Sequence, residues 1–237
     1  MCKIKLYYDL HIHSVLSPDA DDFMTPNNIL NMAMLKNLDF LAITDHNSAK
    51  QLNIIEQIEV AYDFIFIPGI EVTVLEGYDV LCYFRSYGDA EAFDSIVELY
   101  LTDDFGPFTS DDQMITDIYD MTVDTIKKSL TKTTMPFRLL HHEVKKLDGA
   151  IVLAHIERNS KSVLNKHKLS DVQYDAVEIQ QYNKALFLEN HPDIKREKIL
   201  TNSDSHTLLQ ISEREHSVEL KEKTIDAFFD FLIGSDK

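Results

Sequence analysis

The sequence predicts an α/β fold built on a largely parallel sheet, and three patterns predict it. Short apolar runs rich in Ile, Val, Phe and Tyr recur along the 237 residues. Several of these runs are followed by segments of helical periodicity, and cation-binding side chains gather where the runs end. Periodicity alone leaves such a sheet open or closed.

The first run spans 3–9 (KIKLYYD). Thr25-Pro26 then reads as an N-cap with proline at the first helical position, opening NNILNMAMLKNL. Ile29, Met32, Ala33 and Leu35 approximate the buried face expected of that helix. The second run, 39–44 (DFLAIT), leads to a helix over about 49–62, and the third, 64–68, continues into Gly69-Ile70-Glu71. The fourth, 80–84, follows Gly77. Between 86 and 146 the pattern changes: a helix over 90–101, an acidic loop over 102–112, then helices over 114–130 and 136–147 separated by TKTT. We read this stretch as an insertion, an elaborated helical connection within one domain spanning 1–237, because strand-like runs resume at 149–154, 176–180 and 198–201. That makes seven runs, and AFFDFLIG supplies a last packing helix.

Composition narrows the setting. Apolar residues make up 44 % of the chain, and the two cysteines, Cys2 and Cys82, carry no zinc-ribbon or disulfide spacing. No apolar run approaches the roughly 18 residues of a membrane helix, so the expectation is a soluble, cytoplasmic protein with no membrane partner. Asp and Glu outnumber Lys and Arg by 40 to 23, for a net charge of −17. Such a surface repels polyphosphate chains at long range, so extended nucleic-acid binding is not expected. A local basic pocket can still hold a small phosphorylated substrate, a nucleotide or a short oligonucleotide end. Nothing in the sequence sets the oligomeric state.

The polar residues at the run ends carry the chemistry. DLHIHS places His11 and His13 two residues apart, on one face of a strand. The second run ends in Asp45-His46, the third in Glu71, the fifth in His155 and the seventh in Asp204-Ser205-His206, while the fourth begins at Asp79. Taken singly, each has a plain structural reading: a solvated His pair, a turn or helix cap, a surface carboxylate, a buried histidine satisfied by backbone. Taken together they gather at the end of a parallel sheet where active sites assemble, and point to a shared metal centre.

These residues resemble the PHP (polymerase and histidinol phosphatase) superfamily. DLHIHS, the TP-initiated helix, AITDHN, PGIEV, AHIER and TNSDSH occur in that family's order and cover most of the chain. The resemblance implies a distorted (β/α)7 TIM-like barrel, two or three divalent metal ions (Mn, Fe or Zn), and phosphate ester hydrolysis by a metal-activated water. By motif it assigns His11, His13, His46, Glu71, His155, Asp204 and His206 as ligands, with Glu71 a bridging carboxylate. A further aspartate ligand is expected in Ser17-Pro18-Asp19-Ala20-Asp21-Asp22, where counting back from Thr25-Pro26 favours Asp21, with Asp19 and Asp22 as rivals. Asp79 stands where the family usually has a ligand histidine. As a carboxylate it favours harder ions such as Mn²⁺, or it leaves that position weak or empty and the cluster binuclear.

Asp9 and Asp45 are expected to orient neighbouring imidazoles. Glu71, His206 and Arg158 are the candidate catalytic residues, Arg158 as a phosphate-binding guanidinium. His141, His142, His167, His191 and His216 lie outside these motifs and read as structural or solvated, with His141 or His142 lining the pocket as the alternative. The expected function is a metal-dependent phosphoesterase. The alternatives are a histidinol-phosphate phosphatase and a catalytically weak, metal-binding regulatory domain.

Overall fold

The apolar runs pair laterally, because a buried strand must satisfy its backbone N–H and C=O groups on a neighbour. The computed structural model describes residues 3–180, 184–192, 194 and 198–234. Through these the chain runs β1 (Ile4–Asp9), α1 (Pro26–Leu35), β2 (Phe40–Leu41), α2 (Leu52–Ile58), β3 (Ile65–Phe66), β4 (Gly69–Thr73), β5 (Asp79–Tyr83) and α3 (Tyr87–Val97). It continues with β6 (Leu101–Thr102), β7 (Met114–Thr116), β8 (Thr122–Thr125), β9 (Ser129–Thr133), α4 (Phe137–Lys146), β10 (Ala150–Leu153) and β11 (Ala176–Glu178). Last come α5 (Lys184–Asn190), β12 (Ile199–Leu200), β13 (Ser217–Leu220) and α6 (Ile225–Ile233). Pro26 opens α1 as expected, although the Thr25 hydroxyl makes no capping bond.

The strands form one sheet of order β13-β1-β2-β3, a second of order β12-β11-β10-β5-β4, and two small pairs, β6-β9 and β7-β8. The result is a mixed α/β fold of several sheets, none closed into a barrel, in place of the expected TIM-like barrel. Strands β2, β3 and β12 are two residues long, too short to carry a continuous ladder. Among the described residues the backbone pairing between the two large sheets is reduced to isolated parallel bridges, Ile12 with Ser205 and His46 with Glu71. Nor is the second sheet purely parallel, since β5 runs antiparallel to both β4 and β10. That reversal sets Asp79, the first residue of β5, opposite Thr73 at the end of β4.

Side chains sort by the period of two. Leu81, Tyr83, Ala150 and Val152 pack into one cluster with Phe228, Phe229 and Leu232 of α6. Val80, Cys82, Ile151 and Leu153 join the larger cluster on the opposite face. Each fully buried Phe or Leu of α6 contributes about 1.5–3 kcal/mol. Within 86–146 the helix expected over 114–130 is replaced by the β7–β8 hairpin and the start of β9, and TKTT lies within and just beyond β9. Ile115, Thr116, Thr122, Val123 and Thr125 are β-branched and lose χ1 freedom in a helix, which tips this stretch to strand. The connection is therefore mixed, not helical. Strand β13 was not anticipated. Cys82 is buried, Cys2 lies outside the described residues, and no described helix is long and apolar enough to cross a membrane.

Candidate metal centre

Beyond β1 the extended chain continues, so His11 and His13 share a side while Ile12 turns into the core. His46 follows β2 and is drawn to β4 by two backbone bonds, Asn47 N–H to the Glu71 carbonyl (2.7 Å) and Glu71 N–H to the Asp45 carbonyl (3.2 Å). His155 follows β10 and Asp204 follows β12, both in the left-handed region (φ 29° and 52°). Non-glycine residues hold that conformation only where their surroundings fix it, and such positions cluster at functional sites.

These elements bring eight of the nine sequence-assigned ligands into one cluster. His11 Nε2 lies 3.3 Å from Glu71 Oε1 and 3.2 Å from Asp204 Oδ1, and 3.1 Å from His13 Nε2. His13 Nε2 is 3.1 Å from Asp204 Oδ1 and 3.6 Å from Glu71 Oε2. His46 Nδ1 approaches Glu71 Oε2 to 2.7 Å. His155 Nε2 faces Glu71 Oε1 at 3.3 Å and Asp79 Oδ2 at 3.6 Å. His206 Nε2 and His46 Nε2 lie 3.3 and 3.4 Å from Asp19 Oδ1.

The imidazoles are held from behind. Glu178 accepts from Asn202 Nδ2 (2.7 Å) and from the His155 backbone N–H (3.0 Å), so the His11 Nδ1 at 3.1 Å from it is a donor. That leaves Nε2 aimed at the cluster. Ser17 does the same for His13: its hydroxyl donates to Asp45 (2.8 Å) and accepts from the His46 N–H (3.0 Å) and from His13 Nδ1 (2.9 Å).

Burial would strip these groups of charge, yet their mutual field resists it. Burial alone lowers His11, but Asp204, Glu178 and Glu71 hold it well above the usual histidine range. On His46 the same penalty is outweighed by Glu71 and Asp19, which push it up to about 10. His13, desolvated and beside His46, falls to about 3. Glu71 is held well below the usual carboxylate range, burial opposing and His11 and His46 prevailing.

Several buried atoms are left over: His46 Nδ1, Glu71 Oε2 and His155 Nδ1 make no hydrogen bond. The first two face each other at 2.7 Å as an ion pair without hydrogen-bond geometry, so neither buried atom has a hydrogen-bond partner in the protein. Three sets of ligand atoms each lie within 4.8 Å of one another: His13, His46 and His206; His11, His13 and Asp204; Glu71, Asp79 and His155. Nitrogen and carboxylate oxygen in such sets suit Zn²⁺, Fe²⁺ or Mn²⁺. The residues present fit divalent cations.

Asp21 is the assigned ligand that stays outside: its carboxylate accepts from the Phe23 N–H at 2.9 Å, and Asp19 faces the imidazoles. Among the described residues Asp9 makes no hydrogen bond to an imidazole, accepting instead from Ser203 and Ser212 N–H groups, and Asp45 is linked to His13 through Ser17. The role expected of them falls to Glu178, the last residue of β11, whose place at the end of an apolar run was the overlooked signal. Arg158 forms an ion pair with Asp204. Lys161, which the sequence did not single out, pairs with Asp79 at 3.4 Å. Of the remaining histidines, His141 and His142 line a separate hollow with Arg138 and Gln173, while His167 packs edge-on to Tyr78 and His191 stacks on Phe187.

No protein-family model matches this sequence, and no curated protein matches it. Solved structures do share its fold. Endonuclease Q from Pyrococcus furiosus, a lesion-specific endonuclease, superposes on 98 % of this chain with a TM-score of 0.71 at 19 % identity. Endonuclease Q in complex with a 27-mer duplex bearing an abasic lesion at its active site superposes on 96 % with 0.69 at 20 % identity. In both, the match covers 56 % of the neighbour, so this chain spans little more than half the length of those proteins. A protein from Bifidobacterium adolescentis, provisionally described as a metal-dependent phosphoesterase, matches over 95 % of both chains with a TM-score of 0.55 at 16 % identity.

The duplex-bound neighbour corrects the expectation that net charge excludes extended nucleic acid. A total of −17 averages over the surface. It does not describe the loop that follows His155, where Arg158, Lys161, Lys166 and Lys168 fall within eleven residues.

Proposed function

We propose that this chain is a metal-dependent phosphoester hydrolase of the PHP type, a single domain over 1–237 with 86–146 as its variable insertion. One observation carries the reading: His11 Nε2, His13 Nε2 and Asp204 Oδ1 meet within 3.2 Å, with Glu71 beside them and with neither ring nitrogen facing the cluster engaged from behind. The proposed ligands are His11, His13, Asp19, His46, Glu71, His155, Asp204 and His206, with the Asp79 carboxylate beside His155 at the edge of the set. Glu71 would serve more than one cation, because Oε1 faces His11 and His155 while Oε2 faces His46 and His13. When bound, divalent cations supply Lewis-acid stabilisation of phosphoryl charge and acidify a water.

The protein's own part is positioning. Glu178 and Ser17 hold two imidazoles in one tautomer, and His206 with Asp19 closes the solvent side. Arg158, paired through one nitrogen with Asp204, keeps its other guanidinium donors for phosphate oxygens. The finer description of the fold as an opened, distorted (β/α)7 barrel is supported by the strand order. Ladders and the two isolated bridges lead from β1 through β2, β4, β5, β10, β11 and β12 back to β1.

The substrate class we favour includes nucleic-acid phosphodiesters beside nucleotides and phosphomonoesters. The likeness to endonuclease Q and the basic residues of the 158–168 loop support it. Phosphomonoesters, dinucleotides, single strands, and duplexes with and without an abasic site, each offered with Mn²⁺, Fe²⁺ or Zn²⁺, test the reading. Cleavage of at least one is expected, and Glu71→Gln should reduce it by on the order of a hundredfold or more while the fold is retained. Bound cations with no ester cleaved would reject hydrolysis in favour of a metal-binding regulatory domain.

A further inference from the structure

The Asp79 end of the centre differs from the rest in that a lysine holds the same carboxylate oxygen that faces the neighbouring imidazole. Asp79 is buried and its carboxylate is divided: Oδ1 accepts from the Thr73 hydroxyl at 2.6 Å, while Oδ2 faces His155 Nε2 at 3.6 Å and Lys161 Nζ at 3.4 Å. Lys161 is tied to Asp79 a second time, since the Asp79 backbone N–H donates to the Lys161 carbonyl at 3.0 Å. Its backbone sits in the left-handed region (φ 56°), uncommon for a lysine and held here by that bond and by Ser162, which is buried and donates to the Ile156 carbonyl. The ammonium therefore does not stray over the site by chance of a long side chain. It is delivered there by the same loop that places Arg158 on Asp204.

We propose that Lys161 takes the place of one metal ion: its ammonium neutralises the Asp79 end of the Glu71–Asp79–His155 set, so the centre holds two divalent cations where three sets of ligands exist. The argument rests on the metal-centre part of the function proposed above. A divalent ion on Glu71, Asp79 and His155 would share Asp79 Oδ2 with Lys161, and at about 4 Å a unit charge of like sign is strongly repelled even at an intermediate dielectric. The carboxylate is already answered by one hydroxyl and one ammonium, so little of its charge is left for a third ion. The cation beside the second set is placed differently: Arg158 meets Asp204 at Oδ2, which leaves Oδ1 to face His11 and His13, whereas at Asp79 the oxygen that faces His155 is the one that Lys161 holds.

The test is a count of ions. The full chain is stripped with chelator and dialysed against Mn²⁺, and bound metal per chain is measured by elemental analysis, with affinities from calorimetry. Wild type is expected to hold two ions. Lys161→Met, which keeps the side-chain stem without the charge, should hold three, the third binding at least about tenfold tighter than in wild type. Lys161→Arg, charged, should remain at two. Circular dichroism of each variant confirms that the fold persists. Three ions in wild type, or no gain in Lys161→Met, overturns the assignment to Lys161 and leaves the phosphoesterase reading untouched. No specific ion in any variant overturns both. A count of two rising to three, with no ester cleaved by any form, upholds the role of Lys161 and rejects the hydrolase.

Discussion

Asp19 and Asp21 lie two residues apart, and the folded chain sends them to different work. Asp21 accepts from Phe23 N–H in its own turn, and its backbone N–H is held by the His206 carbonyl at 2.9 Å. That anchoring leaves Asp19 opposite His46 and His206. Counting along the chain measures contour length, whereas which aspartate faces the imidazoles is set by how the turn after Ser17 is folded. Asp19→Asn should therefore weaken Mn²⁺ binding by at least the ~10–100-fold that loss of a supporting contact costs, and Asp21→Asn should leave it unchanged. Titration calorimetry on the two variants decides this, and an equal loss in both would reject the distinction. Glu178 was missed for a related reason. An acidic residue at a strand end looks the same in sequence whether it faces a cation or the back of an imidazole.

At the scale of elements, direction matters as much as type. Strand β5 was placed correctly by its apolar run, but its antiparallel course follows from the short link after β4, which returns the chain as a hairpin through Gly77 (φ 87°). Only because β5 is reversed does Asp79, at its beginning, share a rim with residues that end their strands. The partner strand β10 requires close approach at its base. A Cβ on Gly149 would meet the Tyr83 carbonyl at 2.9 Å and Val144 Cγ1 at 2.8 Å, and that carbonyl lies where Tyr83 pairs with Ala150. Gly149→Ala should destabilise the fold by ~1–3 kcal/mol, lowering the melting temperature by about 2–4 °C per kcal/mol. An unshifted thermal transition would show that the strands can part without strain. The β7–β8 hairpin was misjudged because apolar residues at 114–130 satisfy a loose helical spacing, while the β-branching that opposes it is felt only over several residues together.

For the whole molecule, the centre is a buried field of carboxylates and imidazoles whose balance is incomplete. Glu71, Asp79 and Glu178 are buried and the Asp204 side chain is nearly so, and in the protein alone His11 and His46 answer them by holding protons. Divalent ions that bind this arrangement and not the unfolded chain must stabilise the fold, by about 2.7 kcal/mol at one hundred times the dissociation constant. Scanning calorimetry with and without Mn²⁺ should register a rise in melting temperature of about 5–10 °C, and no rise would deny that the pole binds the ion in its folded form. Most of this was legible in the linear chain: which runs form the sheets, and that His11, His13, His46, Glu71, His155, Asp204 and His206 come together at one end of them. Those are local matters, set by side-chain period and by residue type at strand ends. Which aspartate turns inward, which glutamate braces His11, where Lys161 rests and whether the sheets close were decided by folding. Each depends on distances between residues far apart in sequence, and no local pattern encodes a distance across the fold.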